Sequence, residues 1–479
     1  MKYRQYLLGV DVGTTGTKAL LFDTDGNLHG RSYCTYKTFT PKVGRSEQNA
    51  EDWWSAVCST VWELCANPLV GENVVAISLS TQGGTIVPVD ENGNALRQAI
   101  VWNDRRCELE KEAFCQEIGE AALMYEKTGW TLTAGLPAMQ LRWLKENEPN
   151  VVRQASRFLT VSDYLAQKLT GKAVVDYSNA GINQLFNVRN KCYDDDLLNF
   201  SGVAKMQLPK IVQSGEIIGQ LTRSAAVALG LSNRCVLVAG AHDQYAAALG
   251  VGAYRKGDIL IGSGTCWVIT ALDDHPDFSN GMSQSVSAVP GLWGSLWSLS
   301  SGGICLEWLR DKVGMSGGYE TINMEVSKRK AAEDGLFFYP FNGRKGGKTL
   351  QRAEFVGVDL LHDCYHLARS VMEGVVFQVV WKLKDLAVKA NKNGLLLTGG
   401  AAKSSIWTQM LADAADMPVR VPRVVDASCV GAAILAGIGA GIYQNAVDGC
   451  EKLTPRFQTV LPDRTQAEIY RFAQSNYRM

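Results

Sequence analysis

The segment Gly9-Val10-Asp11-Val12-Gly13-Thr14-Thr15-Gly16-Thr17-Lys18 constrains this chain more than any other. An apolar run ends in a single aspartate, a turn of glycines and hydroxyls follows, and a second run begins at a lysine. A carboxylate at the end of a buried strand is costly unless it is paired or put to chemical use. Glycines let backbone amides turn inward, threonine hydroxyls add donors, and an aspartate can hold a hydrated divalent cation. The segment is therefore either a plain hairpin with a polar turn or a clip for phosphate. A similar element returns at Leu260-Ile261-Gly262-Ser263-Gly264-Thr265. Two clips, one per half, suggest a nucleotide held between two related domains.

The rest of the chain reads as α/β layers, with short β-rich runs alternating with helical patterns. Residues 7–12, 18–23 and 28–36 are expected as successive strands, and 74–80 and 99–102 as further strands separated by a Glu91-Asn92-Gly93 turn. After residue 250 the pattern restarts with strands at 259–261 and 266–272. A long helix is expected from about 364 to 391, because Leu367, Val371, Val375, Val379 and Leu383 recur at helical spacing. The glycine-containing stretch Leu249-Gly250-Val251-Gly252 divides the 479 residues into domains 1–250 and 251–479.

Composition removes several function classes. Lys plus Arg and Asp plus Glu each number 48, so no global positive field calls for nucleic acid or an anionic membrane. The 12 cysteines include no Cys-x-x-Cys pair, which predicts buried, reduced thiols and a cytoplasmic protein. Asp11 interrupts any apolar core of a signal peptide at the start of the chain. The apolar run 429–442 falls short of the roughly 20 residues of a membrane span and reads as a buried helix. Asn342-Gly343-Arg344-Lys345-Gly346-Gly347-Lys348-Thr349 ends like a phosphate-binding P-loop, but lacks its first glycine and leads toward a strand instead of a helix. His362 and His366 have helical spacing for a metal pair without a third ligand, so packing is the expected role.

Further motifs carry a family resemblance. Arg45-Ser46-Glu47-Gln48-Asn49-Ala50-Glu51-Asp52-Trp53-Trp54 resembles the SEQ-DP-xx-WW segment of the FGGY carbohydrate kinases. Trp102-Asn103-Asp104-Arg105-Arg106 is similar to their WND-R substrate segment. Gly240-Ala241-His242-Asp243-Gln244 resembles the stretch holding their catalytic aspartate, and Leu397-Thr398-Gly399-Gly400-Ala401-Ala402-Lys403-Ser404 their adenosine loop. The family's signatures are matched over 353–373 and 135–147, with Gln140 where a lysine is usual; the basic loop 342–349 departs from the family's Gly-Glu-Arg-x-Pro segment. The resemblance implies a two-domain actin-like ATPase or ribonuclease H-like fold with an interdomain nucleotide and sugar cleft, and use of ATP and Mg²⁺.

By the same resemblance, Asp243 is the expected general base, and Asp11 with Asp243 would hold Mg²⁺ through water. Asp243 alone could equally be a helix cap. Thr14, Thr15 and Lys18 would face the terminal phosphates; Ser263, Gly264 and Thr265 would close on them; Gly303, Gly400 and Ser404 would line the adenosine side. Gln82, Gly83, Gly84, Trp102, Asn103, Asp104, Asp243 and Gln244 would face the acceptor, although Trp102 could also be a core residue. Gln82-Gly83-Gly84 stands where xylulokinases carry Gln-Met-His and glycerol kinases Gln-Arg-Glu, so the wall has lost bulk and charge. The expected partners are MgATP and a small sugar or polyol, with D-xylulose the best single acceptor. A homodimer is compatible with this. The alternatives are a glycerol or other polyol kinase, and a kinase-like sugar-binding regulator without turnover.

Overall fold

Strands β1 (Tyr6–Val12) and β2 (Gly16–Asp23) form an antiparallel hairpin that sets Asp11 opposite Lys18. Leu7, Leu8, Val10 and Val12 are all fully buried, as expected for a strand covered on both faces. β3 (Leu28–Thr35) extends the sheet beyond β2. On the other side lie β4 (Val74–Thr81), β5 (Ile217–Gln220) and β6 (Val236–His242), giving the order β5-β6-β4-β1-β2-β3. β1, β4 and β6 are mutually parallel, and β5 is antiparallel to β6.

Alternation along β1 sends its two sets of side chains to two different helices. Leu8, Val10 and Val12 join Trp53, Val57 and Val61 of helix Ala50–Cys65, which recur every four residues and start at an Asn49 cap. Gly9 faces helix Ala427–Gly439, where a Cβ would meet the Cys429 carbonyl oxygen at 1.9 Å. Only glycine permits that approach. The apolar run near 429 is thus a buried helix, and it belongs to the first sheet.

The computed structural model describes residues 4–315, 317–332, 335–386, 393–423, 426–454 and 456–477. They form two compact units. The first draws on residues 1–254, 274–294 and 424–455, the second on 255–273, 295–423 and 456–479. The chain passes to the second unit close to the division at 250, then returns twice. In the second unit, β7 (Ile259–Ser263), β8 (Trp267–Asp273), β9 (Leu395–Gly399), β10 (Val419–Pro422) and β11 (Phe457–Val460) follow the order β8-β7-β9-β10-β11. Their pairings run antiparallel, parallel, parallel, antiparallel. β2-β1-β4-β6-β5 runs through the same series, so each unit is built around one hairpin flanked by two parallel strands.

Several sequence expectations change in detail. The strand expected at 99–102 is only Ala99–Ile100, and Trp102 and Asn103 occupy a turn. The long helix is Cys364–Lys384; its expected extension falls partly on residues 387–392, outside the described residues. Residues 344–349 form a small hairpin, not a P-loop, with Arg344 exchanging hydrogen bonds with the Gln378 side chain. The His362 and His366 Nδ1 atoms accept from the amides of Asp359 and Asp363, a local turn role. All 12 cysteines are free, but Cys115, Cys192, Cys266 and Cys364 are exposed, contrary to the expectation of burial. No helix among the described residues is long and apolar enough to cross a membrane.

Candidate active site

Three parallel strands of the first sheet deliver the acidic residues to one edge. Asp11 and Ala241 both pair with Ser80, so Asp11, the Gln82 loop and Asp243 leave β1, β4 and β6 at their C-terminal ends. Open α/β sheets bind ligands at that edge. Ser80 Oγ donates to Asp11 Oδ1 at 2.7 Å. Asp426, at the start of helix Ala427–Gly439, forms a 2.8 Å ion pair with Lys18. Burial, and next the charge of Asp243, push the Asp11 carboxyl up to about 7 against the Ser80 hydrogen bond and Lys18. Burial is the largest single influence on Lys18 and opposes its charge, but the hydrogen bond to Asp426 together with the charges of Asp426 and Asp11 outweighs it, and the ammonium is held above its usual range. Asp11 therefore lies within electrostatic reach of two further carboxylates, Asp243 and Asp426, and of one lysine. A hydrated divalent cation fits this surplus of negative charge.

Asp243 is the first residue of helix Asp243–Gly250, and His242 occupies the cap position without a side-chain capping bond. The Asp243 carboxylate is therefore not spent on the helix end; its neighbour is His242 Nε2, 3.3 Å from Oδ1. Gln244 follows, half-buried on the first turn.

Thr14 joins the phosphate clip to the residues expected around the acceptor. Its Oγ1 donates to Gln82 Oε1 at 3.1 Å and accepts from Trp102 Nε1 at 3.2 Å. The Gln82 amide donates to Gln48 Oε1, while Gln48 donates to the Thr14 carbonyl at 2.7 Å and receives Trp53 Nε1 at 3.0 Å. Gln82 is only 2% exposed with both amide atoms engaged. Thr15, at the tip of the turn, is exposed. Asp104, expected to face the acceptor, is 1% exposed and saturated: it accepts from the Ser46 amide at 2.6 Å and from Arg106 Nε and Nη2 at 2.9 and 2.8 Å. Trp102, at 46% exposure, and Asn103 are the open members of that segment.

Gly83 and Gly84 are both buried. A Cβ on Gly83 would stand 2.6 Å from His242 Cδ2, and one on Gly84 2.7 Å from Leu136 Cδ2. The volume left by the missing side chains is filled by neighbours. Gln140 supports this loop from behind, donating to the Gly135 carbonyl at 2.7 Å and reaching those of Gly84 and Val101. Asp426 lies outside every motif read from the sequence, while His242 and Gln48 stand inside two of them without an assigned role.

In the second unit, Ser263, Gly264, Thr265, Gly303, Gly400 and Ser404 all line one cavity of about 480 Å³. The Gly303 amide donates to the Gly264 carbonyl at 3.0 Å, and the Gly400 amide to the Ser263 carbonyl at 2.6 Å, which fixes the turn between β7 and β8. Ser263 Oγ is itself structural, donating to the Thr398 carbonyl and accepting from the Ala401 amide at 3.1 Å. Ser404 caps helix Ser405–Ala415 and donates to Asn323 at 2.8 Å. Leu306, Tyr319 and Trp407 supply apolar wall, and Glu307, Glu320 and Asn323 polar groups, a mixture suited to an aromatic base and a ribose.

Residues 6–250 match the model of the FGGY family of carbohydrate kinases, N-terminal domain, and residues 258–440 that of the C-terminal domain. The L-xylulose/3-keto-L-gulonate kinase of Escherichia coli (strain K12) is 31% identical over 99% of this chain and 96% of its own length. A gluconokinase of Bacillus subtilis (strain 168) is 27% identical over 91% of this chain and 88% of its own. The ligand-bound xylulose kinase from Lactobacillus acidophilus has a TM-score of 0.91 at 25% identity, covering 99% of this chain and 97% of that one.

Proposed function

The chain belongs to the FGGY family of carbohydrate kinases, and from that premise we propose that it phosphorylates a ketopentose, D-xylulose first, with Asp243 as general base. It has the actin-like ATPase and ribonuclease H-like fold in two domains, and it is an ATP-dependent phosphotransferase acting on a sugar hydroxyl. That sets aside the regulator without turnover. L-xylulose is a second reading, favoured by the name of the 31% identical relative.

Phosphoryl transfer asks the protein for alignment and charge neutralisation more than for covalent chemistry. The acceptor hydroxyl oxygen attacks the γ-phosphorus, its proton passes to the Asp243 carboxylate, and the bond to ADP breaks. Thr14, Thr15 and Lys18 serve the terminal phosphates, and the second-unit cavity the nucleoside. Asp11, Asp243 and Asp426 would hold Mg²⁺ through water; bound there, it neutralises charge on the transferring group. Gln82 and Asp104 act at one remove, Gln82 by pinning Thr14 and Asp104 by fixing the loop that presents Trp102 and Asn103.

The observation that carries this reading is that Asp243 and the Lys18–Asp426 ion pair all act on the carboxyl of Asp11. The test is ATP consumption with D-xylulose, L-xylulose, gluconate, 3-keto-L-gulonate and glycerol, with and without Mg²⁺. A ketopentose should give the highest kcat/KM. A higher value for gluconate or glycerol would overturn the substrate, and turnover undiminished by chelation the metal.

A further inference from the structure

His242 is 6% exposed, between the strand it ends and the helix that Asp243 begins. Its backbone is fixed, since its amide donates to Ser178 Oγ at 2.8 Å and Ser178 Oγ donates to Asp176 Oδ1 at 2.5 Å. The ring fills the space beside Gly83, where Nε2 would lie 3.0 Å from an added Cβ. Nε2 stands 3.3 Å from Asp243 Oδ1, and Nδ1 is buried without a hydrogen-bond partner. Together these two observations choose a tautomer. A neutral imidazole carries one N–H, and buried orphan N–H groups are rarer than buried orphan acceptors. The proton therefore belongs on Nε2, where a carboxylate can accept it.

We infer that His242 is a positioning residue for Asp243. Nε2–H donates to Oδ1, holds the carboxylate in one orientation, and leaves Oδ2 to take the proton of the acceptor hydroxyl. Gly83 is glycine because the ring occupies its side-chain volume. The inference rests on Asp243 being the base. At 3.3 Å the pair is at ion-pair distance without hydrogen-bond alignment, and catalytic contacts that are long or poorly aligned without substrate often tighten when it binds.

The test uses the full-length enzyme with ATP and its best sugar, comparing His242→Ala, His242→Gln, Gly83→Ala, the His242→Ala/Gly83→Ala pair and Asp243→Asn beside melting curves. His242→Ala should lower kcat roughly tenfold to a hundredfold, with KM for both substrates nearly unchanged. His242→Gln, whose amide can donate to the same carboxylate, should recover most of that loss. Gly83→Ala displaces the ring, so it should lower kcat alone but add little once His242 is alanine. Wild-type kcat in His242→Ala, no recovery in His242→Gln, or additive losses for the pair would each overturn the inference. Should His242→Ala fail to fold, His242→Gln set against His242→Leu decides the same point. An active Asp243→Asn would instead remove the base assignment; an inactive one beside a fully active His242→Ala would remove only the role of His242.

Discussion

Lys18 Nζ lies 2.8 Å from Oδ1 of Asp426, a residue that reaches the first sheet only because helix Ala427–Gly439 packs on Gly9. The pair sits beside Asp11, so Asp426 affects both the lysine and the charge of the site. Asp426→Asn should raise the half-saturating Mg²⁺ concentration about tenfold or more, the usual cost of losing a supporting group around a metal. KM for the sugar should change little. A Mg²⁺ titration that superposes on wild type would leave Asp426 with a purely structural part at the helix start.

Asp243→Asn keeps the size of the side chain and removes its ability to take a proton. Turnover should fall by at least about two orders of magnitude on general-base grounds. Calorimetric binding of MgATP and the melting temperature should stay close to wild type. Turnover within a few-fold of wild type would mean that the base lies elsewhere.

Asp23 ends β2 as a buried carboxylate held by its own turn. It accepts from the Asn27 amide at 2.9 Å and approaches His29 Nε2 at 2.9 Å. Burial by itself would raise its pKa, but hydrogen bonds from His29 and then Asn27 outweigh it and bring the carboxyl down to about 2. A folded pKa below the unfolded value of about 3.9 gives stability that is present above that value and lost as pH falls through about 2. Asp23→Asn should therefore cost on the order of 1–2 kcal/mol at pH 7, and the gap should close between about pH 4 and pH 2. Melting curves across that range check it; a gap independent of pH would place the effect in packing instead of charge.

Local pattern made the two hairpins legible. Apolar strands broken by glycine and hydroxyl residues specify a turn, and the observed strands Tyr6–Val12, Gly16–Asp23 and Ile259–Ser263 lie within a few residues of expectation. The tertiary setting was harder to read. Trp102 has strand-forming character, yet Asp104 draws its loop toward Ser46 and Arg106 and ends the strand at Ile100. The run near 429 announces a buried helix, but which sheet it covers depends on glycine contacts such as Gly9 with Cys429 and Gly431 with Ala246. Periodicity carries no information on those. Asp426 was hidden for the same reason. Gln82 was expected to face the acceptor, but its amide is taken up by Thr14 and by Gln48, from a motif over thirty residues earlier.

Gly84 separates two accounts of the Gln82-Gly83-Gly84 turn. Read from sequence, its missing side chain opens the acceptor wall, so that a histidine there would change preference among sugars. In the structure Gly84 has φ +70°, a left-handed conformation that costs an L-residue roughly 1–2 kcal/mol. An added Cβ would also meet Leu136 Cδ2 at 2.7 Å and Trp102 Cβ at 3.2 Å. Both terms act on the folded backbone, whichever sugar is bound. Gly84→Ala should therefore lower the melting temperature and weaken kcat/KM for every sugar by a similar factor, through the loop that carries Trp102. Gly84→His should lower stability further and keep the order of substrates. The decisive measurement is the ratio of kcat/KM for D-xylulose, L-xylulose and glycerol beside a melting curve for each variant. A changed ratio at an unchanged melting temperature would return position 84 to the acceptor wall and restore the absence of its side chain as an argument against glycerol.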